Sequence, residues 1–296
     1  MSDRGGIVYD LGYVPHDGTR LGRGGAIRAM MFDGMRRVMG IRRKGRRKIF
    51  PWIMVGIAFL PSIVFVGLAF FVNNFVPDGE SPFGSHADYY ALAGVPTFIF
   101  VALAAPELLI PDRVQGVLSV YSSRPISPRD YVLARLGTLG ILVTAFTLLP
   151  QLLMYIGFAS LDADGFLAGL SSNAAELWKM LAVSSALFAA WGATGFLISV
   201  FTNRTTTARV LFLGGLVGSS GLAAALAESG SFGTARYAAL VSVLDHPINV
   251  LGWVYGTRVD TVPGTAGFGP GVSLTVILGL VALAAVVPIV RYRRLM

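Results

Sequence analysis

Few residues in this chain can do chemistry, and they are scattered. Cysteine is absent, which removes disulfides, thiolate nucleophiles and Cys-based metal sites. The histidines, His16, His86 and His246, lie far apart in sequence, so a shared metal centre is not expected. "HDGTR" at 16–20 has the look of an acidic phosphate-binding motif but lacks the companion carboxylates a metal would need. No G-x-x-x-x-G-K-S/T segment occurs, so the chain cannot itself cradle ATP phosphates. The carboxylate that stands out is Glu107, which follows Pro106 near the end of a long apolar run. A carboxylate in a membrane is costly and functional by default. Glu107 stands alone about one turn from the end of its run, where water or an arginine is within reach. The expectation is therefore a structural ion pair, with Arg113, Arg124 or Arg129 as partner; the sequence does not choose among them.

The second concentration of polar chemistry is "PDRVQGVLSVYSSRPISPRDYVLAR", 111–135, a basic segment with three prolines between two apolar runs. Val114, Val117, Leu118 and Tyr121 fall at i, i+3, i+4, i+7, which predicts one amphipathic helix of roughly three turns over 112–124. Arg124-Pro125 stops it, because a residue before proline is disfavoured in helical geometry. Ser127 is a candidate N-cap, Pro128 suits the first helical position, and Asp130 falls in the first turn, where negative charge is favourable. A connection that only reversed direction would need a handful of residues. A rigid helix with basic flanks is the form of a docking element.

These features must be positioned by the rest of the chain, and composition says what that is. Of 296 residues, 54% are hydrophobic and 14% charged, against about 25% charged in soluble domains. Runs of roughly 20 apolar residues suffice to cross a bilayer, and six occur, at about 49–75, 89–110, 132–161, 178–201, 209–227 and 272–290. The fold expected is an all-α integral membrane protein with six transmembrane helices. With the N-terminus inside, the cytoplasmic segments hold 21 of the 24 Lys and Arg residues and the external ones 3, so positive-inside bias sets both termini in the cytoplasm. The first 48 residues are polar and Gly-rich without a short apolar core, which does not fit a signal peptide.

The net charge of +8 raises nucleic acid as a partner, but "IRRKGRRK" at 41–48 ends directly before the first span. Anchoring to anionic lipid explains it more simply, and no nucleic-acid role is expected. Residues 1–25 form a Gly-rich arm without regular structure. From Ala26 the spacing of Ile27, Met30, Met31, Gly34, Met35 and Val38 makes an apolar stripe, with Arg28, Asp33, Arg36 and Arg37 opposite. That is an amphipathic helix for the cytoplasmic interface, and 26–48 is read as this helix plus a basic anchor. Arg28, Arg36, Arg37, Arg42, Arg43 and Lys44 are its lipid-anchoring residues, and membrane lipid is thus a partner. Residues 49–296 form the six-helix domain.

Three further features remain. The loop 202–209 carries Arg204 and Arg209 and reads either as a second contact to a docked partner or, more simply, as a plain positive-inside turn. Gly214-xxx-Gly218 permits close helix approach, within the chain or across a dimer seam. "YAALVSVLDHPINVLGWVYG" at 237–256 is apolar but broken by Asp245, His246 and Pro247, which predicts two re-entrant half-helices on the external side rather than a full span. Asp245 and His246 are expected to satisfy helix ends.

Ala105-Pro106-Glu107, Pro111-Asp112-Arg113, Gly116-Val117-Leu118, Ser123-Arg124-Pro125-Ile126-Ser127 and Tyr131-Val132-Leu133 together resemble the second-to-third helix region of ABC-2 type transporter permeases. The subgroup of the nitrous-oxide-reductase maturation permease is the most similar. The likeness extends in outline over all six spans and the interfacial helix. Arg135 stands where that pattern has Lys, and the Gly-rich arm lies outside it. The resemblance implies that 112–124 is a coupling helix docked in an ATP-binding subunit. Asp112, Arg113, Gln115, Gly116, Val117, Val120, Tyr121, Arg124, Pro125 and Ile126 would be the docking residues. It implies two such subunits per complex, a second permease copy (homo- or heterodimer), and ATP with Mg on the partner, with no cofactor in this chain. The chain itself would not be an enzyme but the permease subunit of an exporter in a bacterial cytoplasmic membrane. A secondary transporter or channel is the alternative; such proteins usually show several intramembrane ionisable groups. A membrane enzyme such as a lipid transferase ranks lower for want of metal-binding carboxylates.

Overall fold

The computed structural model describes residues 21–41, 45–76, 85–122, 125–228 and 234–294. Among them there are helices and no strands. The arm 1–20 and the side chains of Arg42, Arg43, Lys44 and Arg124 lie outside the described residues.

Six helices are long and apolar enough to cross a membrane. They are α2 (Arg46–Phe75), α3 (His86–Val114), α5 (Pro128–Ser160), α7 continued through a π turn into α8 (Ala174–Leu187, Phe188–Gly192, Ala193–Phe201), α9 (Thr205–Glu228) and α12 (Pro270–Tyr292). Several run past the apolar segments because polar caps extend them. Ser85 accepts from the Asp88 amide while Asp88 accepts from the Ser85 amide, which starts α3 before its apolar run. Ser127 and Asp130 make the same capping box on α5, with Pro128 at the start, as the spacing predicts.

Short elements decorate both ends. At the basic end α1 (Gly22–Val38) precedes the first long helix and α4 (Leu118–Ser122) lies between α3 and α5. At the opposite end come α6 (Phe166–Ser172), a 3-10 segment (Thr234–Val241), α10 (His246–Tyr255) and α11 (Val262–Thr265). The expected break in 237–256 is present, between the 3-10 segment and α10.

The helices are not equivalent. In α3, 72% of the most apolar window is buried, against 22% in α9 and in α12, so α3 is the hub on which α1, α2, α5, α8 and α9 pack. Its buried face is rich in alanine (Ala93, Ala102, Ala104, Ala105), which lets neighbours approach closely. A Cβ on Gly195 of α8 would sit 3.2 Å from Ala105. Between α5 and α7 the π turn seats the Phe188 ring where a Cβ on Gly140 would approach it to 3.0 Å. Gly214, Gly215, Gly218 and Gly221, by contrast, have open space beside them. Among the described residues nothing packs on that glycine face of α9.

Candidate functional site

The segment joining α3 to α5 is not one helix. α3 continues through Val114, and Gly116 then adopts a left-handed conformation (φ 68°) that costs a residue with a side chain about 1–2 kcal/mol. The Val117 amide bonds the Asp112 carbonyl at 2.9 Å and the Gly116 amide bonds the Arg113 carbonyl at 3.3 Å. This paired closure is a Schellman end, which satisfies the last carbonyls of α3 and turns the chain. The expected three-turn helix over 112–124 therefore gives way to a helix end, a glycine turn and the short α4. The apolar spacing that predicted one helix is real, but it continues across a residue whose backbone has changed hand.

The turn sorts the expected docking residues into two groups. Outward lie Gln115, Gly116, Val120 and Pro125, all exposed, together with Val114. Val114 is 61% exposed and Val120 53%. Val117 and Tyr121 are half-buried, and Ile126 is buried with Leu118 in the main apolar core. Asp112 and Arg113 also turn inward. Arg113 donates to the carbonyls of Val200 at 2.6 Å, Ser199 at 3.3 Å and Thr202. It thus caps the C-terminus of α8, where a cation is favoured. Neither side chain is available to a docked partner.

Asp112 is the centre of a buried charge cluster. One carboxylate oxygen accepts from Arg37 of α1 at 2.6 Å; the other accepts from Arg135 of α5 at 2.7 Å and from the Tyr131 hydroxyl at 3.0 Å. Arg135 is fully buried and also donates to the Met30 carbonyl at 3.1 Å and the Tyr121 hydroxyl at 3.2 Å. Arg37 reaches Asp33 at 2.9 Å one turn back on α1. Burial works against the Arg37 charge, but the charges and hydrogen bonds of Asp112 and Asp33 outweigh it and raise its pKa. Burial pushes the Tyr121 phenol up, helped by Asp112. Breaking a buried pair of this kind by removing one partner costs about 3–5 kcal/mol.

The cluster changes the reading of α1. Its apolar stripe is confirmed in outline: Met30, Gly34 and Val38 are buried against α3 and α5. Gly34 is required there, because a Cβ would lie 2.9 Å from Arg135 Nη1 and 3.0 Å from Leu108 and Thr138 side-chain atoms. Arg28 and Arg36 are exposed on the opposite side. Arg37, expected among the lipid anchors, is instead turned inward onto Asp112. In α1's first turn, Arg23 holds Asp130 through two bonds of 2.9 and 2.6 Å, tying α1 to the cap of α5 as well.

Glu107 is ion-paired with Arg209 of α9 at 3.1 Å. Of the three expected arginines, Arg113 is spent on α8 and Arg124 lies outside the described residues. The loop arginine read as a plain flanking cation is thus a partner, made adjacent because α9 packs on α3. Sequence distance hid the pair, since the two residues lie about a hundred positions apart. Arg135, singled out in the sequence only as standing where the family pattern has Lys, is a structural centre that sequence reading missed.

At the opposite end the polar groups are neutral or pair locally. His86 bonds the Gln151 amide oxygen through Nδ1, and Gln151 returns a bond to the His86 carbonyl at 2.9 Å. His246 meets the Leu240 carbonyl at the end of the 3-10 segment at 3.1 Å, a helix end as expected, whereas Asp245 makes no side-chain cap on α10. Asp245 accepts from Ser220 of α9 and from Ser242, and buried His246 bonds Ser273 of α12 at 3.0 Å. Among the described residues no group of His, Asp and Glu could hold a metal ion.

No known protein family and no curated protein matches this chain. The functional reading rests on its own residues and on the motif resemblance.

Proposed function

We propose that this chain is the permease subunit of an ATP-driven membrane transporter, an exporter, and that α4 with the turn before it couples it to a separate ATP-binding subunit. The observation that carries the reading is the two-sidedness of the α3–α5 segment. Its outer side presents Val114, Gln115 and Val120 to solvent, while its inner side is bolted to α1, α3 and α5 through Asp112 and Arg135. An element fixed to several long helices at its back and apolar at its front transmits a push rather than absorbing it. A loop serving only to reverse direction has no use for a buried charge cluster.

In this reading the basic end faces the cytoplasm, as the distribution of Lys and Arg supports, and ATP with Mg is held by the partner. The exposed glycine face of α9 suits close packing against a second permease chain. Transport would proceed as the ATP-binding subunits close and displace α4; α3 and α5, and α1 through Arg37, would move with it.

Purification in mild detergent from the native host should recover an ATP-binding subunit in stable complex. Val120→Glu should leave the permease folded but abolish co-purification and the stimulation of ATPase activity by the permease. Absence of any ATP-binding subunit, or full coupling in Val120→Glu, would falsify the reading.

A further inference from the structure

A cavity of about 600 Å³ lies at the basic end between α1, α2, α3 and α9. Its lining is divided. Val38, Phe50, Phe100 and Leu103 form an apolar part, and Arg37, Glu107, Gln115, Thr205 and Arg209 form a polar part. Such a division matches a molecule with a polar head and an apolar tail better than it matches either alone.

Three features of the polar part select the charge of the head. First, Thr205 begins the long helix α9 and lines the cavity, so the positive end of that helix faces it, with no acidic residue in the first turn. Second, Arg209, one turn further along α9, spends one nitrogen on Glu107. Its side chain stays 32% exposed, so the guanidinium remains within reach of a ligand. Third, Arg37 adds a second guanidinium from the opposing helix α1. Both of its bonded nitrogens are held by acidic groups, Asp112 at 2.6 Å and Asp33 at 2.9 Å. Glu107 is the opposing charge within the lining, and Arg209 neutralises it.

We propose that this cavity binds a phosphate-headed amphiphile, the phosphate at the α9 N-terminus beside Arg209 and the tail along Phe50, Phe100 and Leu103. The source that fits is the phospholipid of the adjoining leaflet, because α2 and α9, which supply walls of the cavity, also carry largely exposed apolar faces, only 28% and 22% of their most apolar windows being buried. Free phosphate esters share the head chemistry but leave the apolar half of the cavity unused.

The proposal predicts opposite signs for two members of one ion pair. Binding can be measured by calorimetry on the full chain, purified and delipidated in an uncharged detergent. The probes are dihexanoyl phosphatidylglycerol, sn-glycerol 3-phosphate and dihexanoyl glycerol. The short phosphatidylglycerol should bind saturably, and the other two at least about tenfold more weakly, since each lacks one half of the contact. Arg209→Gln should weaken binding about tenfold, as expected for a lost charge-assisted hydrogen bond. Glu107→Gln should strengthen it a few-fold by releasing Arg209. Leu103→Trp, which fills the tail region without touching a charge, should abolish it and guards against misfolding of the charge variants. Weaker binding in Glu107→Gln would overturn the assignment of an anionic head. Equal binding of glycerol 3-phosphate would overturn the amphiphile. Equal binding by all variants would mean lipid adhering to the outer surface only. None of these measurements needs nucleotide or an ATP-binding subunit, so their failure leaves the transporter reading standing, and the converse also holds.

Discussion

The two ends of the bundle solve the burial of polar groups in different ways. At the basic end, Asp112 shares one carboxylate among Arg37, Arg135 and Tyr131, which come from two different helices. At the other end, His86 and Gln151 exchange bonds as a neutral pair between α3 and α5. A neutral pair fixes two helices locally, and its loss leaves a donor and an acceptor unmet. A shared charge fixes several helices at once, because each partner depends on the same carboxylate for its desolvation to be tolerable. The basic end is therefore built to move as a unit, and the opposite end as separately pinned helices.

That contrast can be broken most directly at its centre. Asp112→Ala should lower stability by about 3–5 kcal/mol, because two buried arginines lose their counter-charge. Denaturation followed in detergent would measure it. Replacing Asp112 by Leu together with Arg135 by Met should restore much of the loss, since a well-packed apolar pair is often as stable as a buried ionic one. Stability recovered without coupling to the proposed ATP-binding subunit would separate the structural role of the cluster from the proposed one.

Gly34→Leu comes next, at about 1–3 kcal/mol for overpacking against Arg135 and Leu108. The natural absence of cysteine gives a clean local readout here. A Met30→Cys probe should be shielded from maleimide with Gly34 in place and react readily when leucine pushes α1 away. At the opposite end, Gln151→Leu should cost about 1–3 kcal/mol by orphaning His86, yet leave the Met30→Cys probe shielded. If it exposes that probe, the two ends are coupled and the contrast fails. The smallest effect is at Gly116, where Gly116→Ala should cost about 1 kcal/mol from left-handed strain alone, and its Cβ meets nothing.

Much of this architecture was legible in the sequence where the signal was local. The six apolar runs, the Ser127-Pro128-Asp130 restart of α5 and the break before Pro247 each rest on neighbouring residues, and each is present. What sequence reading lost was long-range or backbone-handed. Periodicity over Val114 to Tyr121 continues smoothly through Gly116, so it cannot register the change of hand there. Reading Arg209 as a flanking cation was fair by position, and Arg135 was noted only as the basic residue of the family pattern, yet both are drawn inward by carboxylates on α3. Asp112 was placed among residues facing a partner because the resemblance implies a coupling helix over 112–124; it belongs instead to the last turn of α3 and is buried against Arg37 and Arg135.

The Schellman end at Gly116 has a consequence for how this protein could change over time. The path of the chain from α3 into α4 is held by main-chain bonds from Gly116 and Val117, not by the side chains at 114, 115 and 120. Those exposed positions are thus free to be rewritten without refolding the turn that presents them. Under the function proposed above, such a chain would exchange one partner for another through a few surface substitutions while its internal linkage, Asp112 with Arg37 and Arg135, is inherited intact. The outer contact and the inner linkage are separately editable.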